Sequence, residues 1–296
     1  MDKEIQISEG TKKTGKIKNI PLLILEVCVL LIAIGIMYVV TTTTKEVDRV
    51  ALDQKQITIN DEVAETMATT SEKQQLGYRN VALFGVDARD GELGKGTRSD
   101  TIIIASINQD TQEIKLVSVF RDTYLNLGND SYNKCNAAYA KGGPEQAINM
   151  LNSNLDLDIT DYVTVGFAGL IDAVDALGGI EMDVTDAEIS HLNNYQLCMA
   201  QELGVDYIPV KESGKQLLNG MQATAYCRIR YTKGDDFRRA ERQRDVLTAM
   251  MNKAKLASVS DLTNMVNAVL PQVQTSLNVN EIISVLGSVA SYDVVT

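Results

Sequence analysis

The sequence predicts an α/β domain, a mixed central sheet flanked by helices on both faces, preceded by one N-terminal transmembrane helix. Three observations carry that expectation. Residues 20–40 form an apolar run long enough to cross a hydrocarbon core as a helix. Two β-branched runs, 100–107 and 113–120, are joined by the five polar residues 108–112, as in a hairpin. Beyond them strand-like and helical patterns alternate, which points to a sheet covered by helices.

The N-terminal run comes first in the chain. Glu26 is its only charge, near enough to the end of the span to reach the interface or a partner helix. The run is longer than a signal-peptide core, and no A-x-A-like cleavage site follows it, so a retained anchor is expected. Residues 1–19 carry Lys3, Lys12, Lys13, Lys16 and Lys18 against Asp2, Glu4 and Glu9. The positive-inside rule then places this tail in the cytoplasm and everything after about Thr41 outside. The expected partition is a cytoplasmic tail at 1–19, the span at 20–40, a polar and partly helical stalk at 41–79, and an extracytoplasmic domain at 80–296 with its core at 80–255.

Within that domain, 80–86 reads as a buried strand followed by a glycine- and charge-rich loop. After the hairpin, helical patterns cover 136–141 and 144–154, the second with Pro144 in its first turn. Residues 161–167 read as a strand, and 168–177 as a helix stopped by Gly178-Gly179. Another strand follows at 180–184. Residues 185–215 read as irregular and 219–228 as helical. The strongest helix is 237–255, with Val246, Leu247, Met250 and Ala254 on one face.

Composition narrows the chemistry. The 296 residues, 45% hydrophobic and 23% charged, suffice for one sizeable core plus anchor and linker. A net charge of −11 provides no general footprint for nucleic acid, so a phosphate site must be a local cluster of positive groups. With one histidine, His191, the Ser-His-Asp, Cys-His and multi-histidine metal mechanisms are largely removed. Acid–base work falls on carboxylates, or on groups supplied by a metal ion and substrate. Cys28 lies in the apolar run, leaving Cys135, Cys198 and Cys227. An odd number allows one internal disulfide at most, Cys198–Cys227 being the favoured pairing, against three reduced thiols.

Three segments concentrate charge where scaffold meets loop. They are Arg98-Ser99-Asp100-Thr101, Arg121-Asp122-Thr123, and Arg228-Ile229-Arg230 with the run from Asp236 to Gln243. An Arg-Asp pair at a strand end is often a surface ion pair, and a charged helix start is often solvated. Yet Arg239, Gln243 and Val246 share one stripe of the last long helix, and Arg242 shares that of Val246. These arginines extend an apolar face, where an unpaired charge is expensive. A polyphosphate would supply bidentate, charge-assisted partners. Arg98, Arg121, Arg228, Arg230, Arg239 and Arg242 together exceed what structural pairing should need. Asp100 and Asp122 complete the set as ligands of Mg²⁺ (or Mn²⁺), since a carboxylate beside phosphate requires a cation between them. Asp87, Lys134, Asn136 and Gly142-Gly143 are candidates to border the pocket, though helix caps explain the asparagine and glycines equally well. The glycines make no Walker or Rossmann spacing.

These motifs, with Val119-Phe120-Arg121-Asp122-Thr123, Lys134-Cys135-Asn136-Ala137-Ala138-Tyr139 and Arg228-x-Arg230 … Asp236-Phe237-x-Arg239-x-x-Arg242-Gln243, resemble the LytR-CpsA-Psr enzymes of bacterial cell envelopes. Phe120 departs from the pattern, which usually has proline there. The resemblance runs from about Asn80 to Lys255. It implies a phosphotransferase that moves a glycan polymer, of teichoic acid or capsular polysaccharide type, from a polyprenyl-diphosphate carrier to peptidoglycan. It further implies that Arg98, Arg121, Arg228, Arg230, Arg239, Arg242 and Gln243 hold the diphosphate, and that Asp100 and Asp122 bind Mg²⁺. Asp236 or Asp122 is left as the proton acceptor. A lipid tail would need an apolar groove between the sheet and the helices at 168–177 and 246–254. A membrane-tethered binder or regulator of polyprenyl-linked glycans, and a polyprenyl-diphosphate hydrolase, are the competing readings.

Overall fold

In the computed structural model, which describes residues 48–71, 77–88 and 92–295, the β-branched runs do form the centre of a mixed sheet. In chain order the elements are β1 (Asp48–Arg49), α1 (Asp61–Ser71), β2 (Tyr78–Val86), β3 (Ser99–Asn108) and β4 (Glu113–Ser118). The hairpin β5 (Tyr124–Asn126) and β6 (Tyr132–Lys134) leads into α2 (Asn136–Leu155), β7 (Asp161–Val165), α3 (Phe167–Ala176) and β8 (Ile180–Val184). Then come α4 (Asp186–Leu203), β9 (Gly214–Leu218), α5 (Gly220–Arg228) and α6 (Asp235–Leu256). The last elements are α7 (Val259–Val269), β10 (Val273–Thr275), α8 (Val279–Ser288) and β11 (Asp293–Val295).

Among the described residues the main sheet runs β1-β10-β7-β2-β3-β4-β11. β2, β3 and β4 are antiparallel neighbours, while β2 and β7 are parallel. Strand alternation sorts the two faces. Ala82, Phe84, Val86, Ile102, Ile104 and Tyr162 pack in one cluster with Ala138, Tyr139, Ile148 and Leu151 of α2. Each large apolar side chain buried there contributes roughly 1.5–3 kcal/mol. Tyr139 satisfies its hydroxyl inside this core through Leu93 O at 2.7 Å and Thr164 Oγ1 at 2.8 Å. The alternate residues Leu83, Gly85, Ile103, Val163 and Val165 point to the other face, toward α3, α5 and α6. There Gly220 allows α5 to approach α3 closely, because a Cβ would overlap the backbone of Ile171.

The two helical stretches expected at 136–141 and 144–154 stand, as the halves of α2 on either side of a kink at Gly142 and Gly143, the latter at φ 69°. Several other expectations change. Residues 185–215 are not irregular: they hold α4 and the start of β9. The stalk assignment fails for its middle part. β1 pairs with β10, Leu52 and Ile57 pack on the core, and Thr58 N donates to Asn149 Oδ1 at 2.7 Å. Nor does the core stop at 255, because β10 and β11 both enter the main sheet. Cys135, Cys198 and Cys227 are free thiols, so the Cys198–Cys227 disulfide is not formed. The tail at 1–19 and the run at 20–40 lie outside the described residues, among which no helix is long and apolar enough to cross a membrane.

Candidate functional site

Between the second sheet face and helices α3, α5 and α6 lies a cavity of about 370 Å³. Its walls are largely aliphatic, with Leu83, Ile103, Val163, Leu170, Val246 and Leu247. Its charged lining comes from the segments singled out in the sequence: Asp100, Arg228, Arg230, Arg239 and Gln243, joined by Asp87. Asp100, Arg239 and Gln243 also border an adjoining crevice with Phe120, Arg121 and Asp236. Cys227 is in the cavity wall, and burial pushes its thiol up to about 12, so it serves as a neutral surface and not as a nucleophile.

Asp100 is the hub. One carboxylate oxygen takes Arg121 Nη1 at 2.8 Å and the other lies 3.6 Å from Arg230 Nη2. Arg239, 5% exposed, donates to the Asp100 carbonyl and, at 3.2 Å, to Asp236 Oδ1. Burial first, and then the charges of Arg230 and Arg121, pull Arg239 below its ordinary guanidinium value against Asp236 and Asp100. Guanidinium groups crowded in this way are stabilised by an additional anion.

Two buried guanidinium donors at the site lack hydrogen-bond partners, Arg228 Nη1 and Arg121 Nε, the latter 4.0 Å from Asp122 Oδ1. Arg228 lies over the rings of Phe167 and Tyr195, 4.5 and 5.4 Å from their centroids. Those rings hold the charge over an apolar cradle without occupying its hydrogen-bonding edge. A buried N–H without a partner costs about 1–3 kcal/mol, and an anionic oxygen would recover it.

Local structure explains the placement. The Arg121 loop is tied to the start of α2: Asn136 N donates to Arg121 O at 3.1 Å and Cys135 N to Thr123 O at 2.8 Å. Cys135 and Asn136 thus hold the loop, and neither they nor Gly142 and Gly143 line the cavity. Phe120, at the unusual position of the motif, meets Phe237 edge-on at 4.5 Å.

Three expected site residues are brought to neither the cavity nor the crevice. Arg98 is exposed and makes no ion pair among the described residues. Asp122 turns to Lys134 at 3.1 Å and borders neither cavity nor crevice, so the structure does not pair it with Asp100 as a ligand set. Burial would raise its carboxyl, but the Lys134 hydrogen bond and the charges of Arg121, Lys134 and Arg230 hold it below the ordinary range. Arg242 is 1% exposed and fully engaged by protein groups. It donates to Glu188 Oε1 at 2.8 Å, Ile229 O at 3.1 Å and Thr232 Oγ1 at 2.6 Å. It ties α4 to Ile229 and Thr232, which flank Arg230 and follow Arg228 at the end of α5. Sequence reasoning missed its partner Glu188, whose signal was a helix start: Thr185 N donates to Glu188 Oε2 at 2.9 Å in a capping box.

No group of three or more His, Cys, Asp or Glu side chains is placed to hold a metal among the described residues. Asp100 offers a single carboxylate, so a cation there would complete its shell with substrate oxygens and water, as Mg²⁺ commonly does.

A family model described as the LytR_cpsA_psr family matches residues 34–294. A protein of Enterococcus faecalis named polyisoprenyl-teichoic acid–peptidoglycan teichoic acid transferase TagU is 35% identical over 219 residues, 71% of this chain and 67% of that one. The protein of the same name from Bacillus subtilis is 34% identical, over 67% of this chain and 60% of its own length. The chain therefore spans about 60–67% of the length of these relatives. A solved structure of TagT bound to LI-WTA is 25% identical, with a TM-score of 0.60, covering 74% of this chain and 76% of that one. The family match extends over both sheet faces and every segment that builds the cavity, and on that ground the chain belongs to the LytR_cpsA_psr family.

Proposed function

We propose that this protein is a membrane-anchored phosphotransferase that moves a teichoic-acid-like glycan polymer from a polyprenyl-diphosphate carrier to peptidoglycan. One observation carries the reading: unpartnered guanidinium donors of Arg228 and Arg121 beside a cavity with aliphatic walls. That combination suits an amphiphile with a diphosphate head and a hydrocarbon tail. The names of the Enterococcus and Bacillus relatives and the ligand named for TagT support the same substrate class. The apolar run at 20–40 and the lysines before it support an anchor with the domain outside the cell.

In the reaction, a peptidoglycan sugar hydroxyl attacks the phosphorus that bears the glycan. The new P–O bond forms as the bridging P–O bond breaks, and polyprenyl phosphate leaves with the electron pair. Arg121, Arg228, Arg230 and Arg239 orient the diphosphate and balance charge on its non-bridging and leaving oxygens. Asp236, on the crevice beside Arg121 and Arg239, takes the hydroxyl proton. Asp122 is a poor base, because its carboxyl is held low by its cationic neighbours. Mg²⁺ (or Mn²⁺) held by Asp100 would supply further neutralisation of phosphate charge.

The test combines full-length protein in detergent with Mg²⁺, a polyprenyl-diphosphate glycan and peptidoglycan oligosaccharide. Expected products are polyprenyl monophosphate and a glycan–peptidoglycan phosphodiester, both lost on chelation. Free glycan phosphate in the presence of acceptor would instead identify a hydrolase. Donor binding without turnover would identify a regulator.

A further inference from the structure

The β5–β6 hairpin presents two tyrosines that the core does not use. Tyr124 is 69% exposed and Tyr132 59%, and their rings stack at 5.9 Å with planes 28° apart. The hairpin itself is held from its other side. Leu127 is fully buried, Leu125 packs on the core, and Asn154 of α2 bonds both the N–H and the carbonyl of Asn126. With these anchors, the bare aromatic face is not needed to fix the hairpin. An exposed aromatic patch on a rigid mount marks a recognition surface.

Its position says what it meets. Tyr124 lies opposite Lys134 in the hairpin register, and Lys134 holds Asp122, next to Arg121. Tyr124 is three positions along the chain from Arg121, at most ~11 Å of extended chain. In the reaction proposed above, the acceptor sugar must reach the diphosphate from solvent while its neighbouring sugars stay outside. Flat aromatic faces suit the C–H faces of pyranose rings, and the Lys134–Asp122 pair beside them offers hydrogen bonds to hydroxyl and acetamido groups. We propose that Tyr124 and Tyr132 form the docking platform for the acceptor peptidoglycan strand, one or more sugars away from the reacting hydroxyl. The proposal rests on the phosphotransferase reading.

The test measures two quantities on the full chain in detergent: the acceptor KM in the transfer assay, and direct calorimetric binding of a peptidoglycan oligosaccharide without donor. Tyr124→Ala/Tyr132→Ala is expected to raise the acceptor KM and the oligosaccharide Kd roughly tenfold. Donor affinity, kcat and the thermal midpoint stay at wild-type values. Tyr124→Trp/Tyr132→Trp, which keeps the flat faces, retains both. An unchanged oligosaccharide Kd in the alanine variant overturns the platform. So does loss of binding to anionic phospholipid vesicles in place of glycan, which would assign the tyrosines to the membrane surface. Should wild-type protein fail to transfer, the phosphotransferase reading falls. The binding arm still decides whether the tyrosines recognise glycan.

Discussion

Arg239 and Arg242 are three residues apart on α6, both are buried, and they do opposite things. Arg242 has a carboxylate, a carbonyl and a hydroxyl of the protein for its three nitrogens, and it stitches α4 to the loop between α5 and α6. Arg239 shares its carboxylate side with Asp236, borders the cavity and crevice, and is crowded by two other guanidinium groups. Both positions look alike as charges extending an apolar helix stripe. What separates the two is position: Arg239 borders the cavity and crevice, where the neighbouring Arg228 and Arg121 keep donors without hydrogen-bond partners, whereas Arg242 lines neither.

The largest effects should fall on the hub. Arg121→Ala and Asp100→Ala are each expected to lower transfer by about 10²–10³-fold with the unfolding transition still cooperative. Rate measurements beside thermal melts check this, and a folded, fully active variant would remove that residue from the mechanism. Arg242→Ala should act on the other side of the comparison, costing at most about 3–5 kcal/mol of stability, because the buried Glu188 keeps only the longer ion pair to Arg238 at 3.8 Å. Glu188→Leu/Arg242→Met should recover much of that stability while donor affinity remains reduced, because the segment bearing Arg228 and Arg230 loses its tie. If the double variant melts no higher than Arg242→Ala, the ion pair is not the source of the loss.

The Glu188–Arg242 pair also sets a pH dependence. Burial would raise the Glu188 carboxyl, but the Thr185 N–H and Arg242 lower it below its ordinary 4.5. A lowered folded value contributes stability that is fully present above 4.5 and lost as pH falls through that lowered value. Denaturation midpoints between neutral and acid pH should fall less steeply in Glu188→Leu/Arg242→Met than in wild type. Equal slopes would refute the assignment. At the bottom of the scale, Arg98→Ala should leave melting and donor affinity unchanged, since its side chain is exposed outside the cavity.

Much of the fold is readable from local patterns. β2, β3, β4, β7 and β8 follow from β-branched runs bounded by turns, and α6 from its apolar stripe. α4 escaped because its stripe of Leu192, Gln196 and Met199 includes a buried polar residue, which blurs the 3.6-residue period. The outer strands β1, β10 and β11 are two or three residues long, too short for periodicity, and form only because neighbouring strands supply partners. At the site, residue types and strand-end positions pointed to Asp100, Arg121, Arg228, Arg230 and Arg239, which the structure gathers around the cavity and its crevice. The pairing of Arg242 with Glu188 was not legible because that counter-charge lies 54 residues away in the chain. The exposure of Arg98 outside the cavity was not legible because a strand entry does not reveal which way a side chain turns.

The most direct test of the arginine-lined cavity is the affinity of the full chain in detergent for a short polyprenyl diphosphate. It should be measured for wild type, Arg228→Leu and Arg98→Ala, with the polyprenyl monophosphate as reference. Diphosphate should bind wild type and Arg98→Ala equally and more tightly than monophosphate, and Arg228→Leu should lose about tenfold or more for the diphosphate. Equal affinity of Arg228→Leu and wild type would contradict the account, because the donor left unpartnered in the folded chain would then have no anion to meet.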